Sequence, residues 1–136
     1  MIDPDKKISI IDNYLHSTKF ECEHLEGFAI EYIPQYYCVN ISYVNNSARL
    51  ASSYNDLPCH GISLNNCSNN QLIKYIRFGV INFESSIFSE TPTTPLFLGP
   101  SGELTTVVPS RNIIQRVGFV LSDSTAFIDI KDAIHI

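Results

Sequence analysis

The chain has no tryptophan, a single methionine and few charges: Asp, Glu, Lys and Arg together make up 17% of its 136 residues. So small a charged fraction beside 44% apolar residues excludes disorder as the general state, because enough apolar surface exists to offset chain entropy. No apolar run approaches the roughly 20 residues with which a helix spans a bilayer. The opening "MIDPDKKISI" places its charges and apolar residues in the wrong order for a secretory signal. Synthesis and retention in a cytoplasm are expected, unless the chain leaves as part of a larger particle. Basic residues are scarcer than acidic ones, nine against fourteen, for a net charge of -5. They are scattered singly and create no field that would concentrate polyanions, so nucleic acid and anionic membranes are not expected partners.

Paired metal-ligand and catalytic patterns are missing too. Cys22, Cys38, Cys59 and Cys67 are irregularly spaced, without the framework of a secreted disulfide scaffold, and are read as reduced thiols. Cys22, His24, Cys59, His60 and Cys67 include no CxxC or HxxxH pair of the kind that grips zinc from one turn. Cys59 and His60 are adjacent, so on a strand they would point to opposite faces and could not act as nucleophile and base. Glu21, Glu23 and Glu26 lie in a charged N-terminal stretch, and Asp129 and Asp132 on the polar side of a terminal strand; neither group suggests an acid/base pair. Gly99-Pro100-Ser101-Gly102 lacks the lysine and following helix of a phosphate loop. No catalytic residue, cofactor or metal site is expected, and the chain is read as a non-enzyme.

What is present is strand and turn chemistry. Ile, Val, Phe and Tyr dominate the apolar residues, and Asn and Ser are abundant, a composition of strands joined by tight turns. Residues 1–27 form an N-terminal arm or attachment segment, dense in charge, where Ile8, Ile10, Ile11, Tyr14 and Leu15 fit a short helix or an edge strand equally well. Residues 28–136 form the β-domain. "FAIEYI" alternates until Pro34; "YYCVNISYV" and "SARLASS" make a hairpin about Asn45-Asn46; "HGISL" and "QLIKYIRFGVI" follow as strands. After a proline-bearing loop, "LFLGPSGELTTVVPS" reads as a second hairpin turning at Gly99 to Gly102, with Gly102 left-handed. "IIQRVGFVL" and "FIDIKDAIHI" complete the chain as strands.

The two hairpins open an imperfect internal repeat, offset by about 54 to 57 residues, in which Gly61 falls on Gly118 and Leu64 on Leu121. Glycine inside a strand lets a ring or another backbone approach closely, and that is the role expected of both. Tyr32, Tyr36, Tyr37 and Tyr43, with Phe28, crowd one stretch and suit either half-buried strand positions or a carbohydrate- or protein-binding surface. The fold expected is all-β: a small antiparallel β-barrel or sandwich built from two similar hairpin units, with the arm preceding it.

Residues 33–134 also resemble a recurrent small β-module of tailed-bacteriophage virion proteins, found in head fibres, capsid decoration proteins and the virion-bound parts of tail fibres. The likeness rests on Pro95 to Gly99, Gly102, Leu104-Thr105 and Pro109, then Gln115 to Ser122, then Phe127 to Ile130. Upstream, "YYCVNISYVNNSARLASS" and "HGISL" resemble the module's first half, with Ser63 and Val120 standing where alanine is usual. The resemblance brings no catalytic residues. It implies a structural component of the virion, assembled in the host cytoplasm, commonly a homotrimer that attaches to capsid or tail subunits. The alternative is a receptor- or glycan-binding module of a phage fibre.

Overall fold

A computed structural model describes residues 24–136, and all of its regular structure there is β. The arm's first 23 residues, with the question of helix or edge strand, lie outside the described residues. Five strands build a first module: β1 (Leu25–Ala29), β2 (Cys38–Ile41), β3 (Ser47–Leu50), β4 (Gly61–Ser63) and β5 (Leu72–Ile76). They close into a barrel in the order β1-β3-β2-β4-β5. Asn46, at φ 61°, makes the β2–β3 turn, as its tolerance of the left-handed region allows. Alternate side chains of each strand point inward, so Ala29, Val39, Ile41, Ala48, Ile73 and Tyr75 fill the barrel.

Closure departs from a purely antiparallel scheme. β1 pairs with β3 in parallel, Phe28 opposite Ser47 and Ala29 opposite Ala48, which removes both sheet edges. Leu25, Glu26 and Gly27, assigned from sequence to the arm, lie in β1 opposite Tyr75, Lys74 and Ile73. The strand ends at Ala29 rather than running to Pro34; Ile33 makes only an isolated bridge to Cys67.

The second module comprises β6 (Phe78–Asn82), β7 (Pro95–Leu98), β8 (Leu104–Thr105), β10 (Arg116–Val120) and β11 (Thr125–Asp129), in the order β6-β11-β10-β7-β8. A separate pair joins β9 (Ile113–Ile114) to β12 (Ile134–His135). The expected repeat is present as topology: β3-β2-β4-β5-β1 of the barrel corresponds strand for strand to β8-β7-β10-β11-β6. The difference is closure, since β6 and β8 do not pair and the second sheet stays open.

Three strands expected as single runs are each divided. "QLIKYIRFGVI" breaks at Arg77 and changes sheets; because one residue separates β5 from β6 with the alternation unshifted, period-2 patterning cannot register the change. "IIQRVGFVL" breaks at Gln115, and "FIDIKDAIHI" after Asp129.

The main core lies between the modules. Cys38, Ile62 and Ala51 from outside the barrel meet Ile81, Leu96, Leu98, Val117, Val120, Ala126 and Ile128 from the inner face of the open sheet. Both repeat glycines do what was expected of them. A Cβ at Gly61 would overlap the Tyr75 ring, and one at Gly118 the Phe127 carbonyl oxygen.

Candidate interaction surfaces and the junction between modules

The second hairpin's tip is turned inward. Gly102, with φ 91°, completes the turn and accepts a hydrogen bond from the Cys38 amide at 2.7 Å through its carbonyl. The Gly99 carbonyl accepts from the Ser53 amide at 3.1 Å, and the Ser52 hydroxyl donates to the Pro100 carbonyl at 2.5 Å. A Cβ at Gly102 would lie 3.1 Å from the Ala51 carbonyl oxygen, tighter than most side chains tolerate. The turn is therefore a clasp holding the open sheet to the barrel, and its exposed residue is Ser101.

Gln115 forms a second bridge. It is 2% exposed, and its side-chain oxygen accepts from the Cys59 amide at 2.6 Å. Its side-chain nitrogen donates to the carbonyls of Cys59 at 2.9 Å and Lys131 at 2.8 Å. One buried amide thus satisfies three backbone groups, two of Cys59 just before β4 and one of Lys131 just beyond β11, where an apolar side chain would leave all three unpaired.

Among the described residues no three His, Cys, Asp or Glu side chains converge as metal ligands. Cys38 and Cys59 face each other in the inter-module core, where burial and their mutual hydrogen bond raise the Cys38 thiol well above its ordinary range. Cys67 is buried in the barrel, and its pKa is also raised by burial. His60 accepts a hydrogen bond at Nδ1 from the Ile41 amide at 2.8 Å, which requires the lone pair of an unprotonated nitrogen. Burial and the nearby Arg77 charge lower its pKa. His24 lies beside Glu26 at 3.6 Å, and Cys22 lies outside the described residues.

The tyrosine group is dispersed. Tyr36 is an internal strut, its ring edge-on to Phe83 at 4.8 Å and its hydroxyl 3.4 Å from the Asn82 carbonyl. Tyr37 packs on the barrel core. Tyr43 stands 75% exposed at the β2–β3 turn beside the His60 ring, and Tyr32 is 57% exposed. Two shallow grooves, of about 260 and 380 Å³, open near the second hairpin. In the larger, the Glu31 carboxylate already accepts from the Leu50 amide at 2.8 Å.

The feature that sequence reasoning missed is the outer face of the open sheet. Register places Pro95, Phe119, Phe127 and Val80 in one row across four strands. Phe127 is 5.3 Å from Phe119 and 5.0 Å from Phe78. The sheet thus carries an apolar row on its outer face, flanked by Arg116, Asn82, Thr125 and Asp129, as well as an apolar inner face. Its signal in the sequence was the density of "PLFL", "RVGFV" and "TAFID", where a solvated face would carry polar alternates. No known family model matches this chain, and no curated protein does.

Proposed function

We propose that the chain is a non-enzymatic structural component of a bacteriophage virion, a head-fibre, decoration or tail-associated protein that attaches to other virion subunits as a homotrimer. The two-sided apolar sheet carries the reading. A β-layer whose inner face is sealed on its own barrel and whose outer face also carries an apolar row suits a protein built into a larger assembly. Hydrogen bonds at the Gly99–Gly102 turn and at Gln115 tie the two modules together, as a brace requires. The likeness of Pro95 to Ile130 to phage β-modules points the same way.

The test is the location of the protein. Antibodies against the purified chain should detect it in gradient-purified particles of the phage that encodes it. Its confinement to the soluble fraction of lysates, with particles lacking it, would refute the reading.

A further inference from the structure

Every strand of the barrel has an end at one mouth. β2 ends there at Ile41 and β5 at Ile76, while β1 begins at Leu25, β3 at Ser47 and β4 at Gly61; the ladders bring these ends together. Tyr75 lies just inside, opposite Leu25 and Ser63, with its ring so close over Gly61 that a Cβ there would sit 2.4 Å from it. The residue is only 6% exposed. Among the described residues its hydroxyl has no hydrogen-bond partner, yet the one side-chain atom there that is both unpartnered and sealed from solvent is Ser53 Oγ. The Tyr75 hydroxyl therefore opens to the mouth.

Three further groups stand around it. His60, the residue before Gly61, accepts the Ile41 amide at Nδ1, so its neutral ring carries the proton on Nε2, a donor without a partner among the described residues. The largely exposed Tyr43 ring lies 5.3 Å from the His60 ring. Arg77 continues the inward alternation of Ile73 and Tyr75 one step beyond the end of β5, and among the described residues it makes no ion pair. Burial is the main influence on the titration of His60 and Tyr75, and the Arg77 charge acts on both, as Tyr43 does on Tyr75. Glu26, the carboxylate of β1, alternates to the outer face, where His24 lies 3.6 Å from it.

The mouth thus offers donors beside a ring. An imidazole N–H, a guanidinium and phenol hydroxyls suit an oxyanion, and an exposed tyrosine face suits the C–H face of a sugar. We propose that this barrel mouth binds an acidic saccharide, its ring on Tyr43 and its carboxylate among His60, Tyr75 and Arg77. Barrel mouths are common places for small-molecule sites, where a few placed polar groups fix orientation. A neutral sugar would leave Arg77 unpaired, and a simple carboxylate would leave Tyr43 uncovered. The site goes beyond the virion reading and does not rest on it, because every group involved belongs to this chain.

Titration of the full chain with sodium glucuronate, followed by nuclear magnetic resonance, tests the site. The ring resonances of His60 and Tyr43 should move together, with a dissociation constant on the order of 1 mM. Glucose and acetate, each carrying half of the ligand's chemistry, should bind at least about tenfold more weakly. Arg77→Gln and Tyr43→Ala, both at exposed side chains, should each weaken glucuronate binding roughly tenfold. Tyr75→Phe keeps the ring over Gly61 and removes the hydroxyl, and should weaken binding by about threefold to tenfold. Arg49→Gln should bind as the wild type does, because Arg49 holds Asn40 on the outer face. Tighter binding of a hyaluronan tetrasaccharide would assign the site to a polysaccharide and equal binding to a free sugar acid, and both support it. Glucose or acetate binding as tightly as glucuronate overturns the proposal. So does the absence of any shift at His60 and Tyr43 at about 20 mM glucuronate, or wild-type affinity in both Arg77→Gln and Tyr75→Phe.

Discussion

Replacing Gln115 with leucine tests the junction between modules most directly. Leucine roughly fills the volume but makes none of the three hydrogen bonds, and it leaves the Cys59 amide, the Cys59 carbonyl and the Lys131 carbonyl buried without partners. Each such group costs about 1–3 kcal/mol, so the expected loss is about 3–9 kcal/mol. In a domain of this size 1 kcal/mol moves the melting temperature by roughly 4 °C, which places the variant some 12 °C or more below the wild type. Urea unfolding followed by circular dichroism gives the free energy directly. Gln115→Glu adds a control: a carboxylate would set an anionic oxygen against two carbonyls, whereas the protonated acid can donate to one of them. That repulsion raises the folded-state pKa above the unfolded value, so the penalty should be smallest below the ordinary carboxyl pKa and grow as pH rises through the folded pKa. A cost under about 1 kcal/mol for Gln115→Leu would refute the assignment, meaning that water or backbone movement satisfies the three groups.

Further expectations concern the glycines, thiols and histidine. Gly118→Ala should cost about 3 kcal/mol or more, because the obstacle is the Phe127 backbone; Gly61→Ala should cost less and be partly rescued by Tyr75→Leu, since there the nearest obstacle is the Tyr75 ring, with the Ile76 carbonyl oxygen 3.0 Å away left after the rescue. Chemical denaturation compares the two. Cys38, Cys59 and Cys67 should resist a thiol reagent in the folded protein and all react once it is unfolded; rapid native labelling of any of them would contradict their burial. His60 has a folded-state pKa below its unfolded value, so its neutral form's contribution to stability is complete above about pH 6.5 and declines as pH falls below that. His60→Gln should flatten that part of the stability profile.

The sequence made the all-β class, the β2–β3 hairpin, the left-handed Gly102 and the paired roles of Gly61 and Gly118 legible, because turn residues and strand glycines act locally. Repeat spacing went further and matched the two hairpin units, whose strands the fold arranges in the same order. What escaped was long-range partnership. The change of sheet at Arg77 leaves alternation intact, so it depends on which strands lie alongside, which periodicity does not encode. The closing β1–β3 contact is parallel and joins segments with a whole strand between them. The tyrosines looked like one group because they are near in sequence, yet the turn after Pro34, with Tyr36 at φ 68°, sends them to different layers. The aromatic face was hidden for a related reason: its four residues come from four strands, and only register lines them up.

The unequal closure of the two modules has a consequence for the order of folding. The barrel draws every strand from residues 25–76 and can satisfy its own edges without the rest of the chain. The open sheet begins at Phe78, and its inner face has no apolar partner until the outside of β2 and β4 is in place. During synthesis the barrel is complete before most of the sheet has been made, so it can act as a template on which the later strands condense. Mutations in the barrel should therefore slow the folding of the whole chain, whereas many in the sheet should mainly hasten its unfolding.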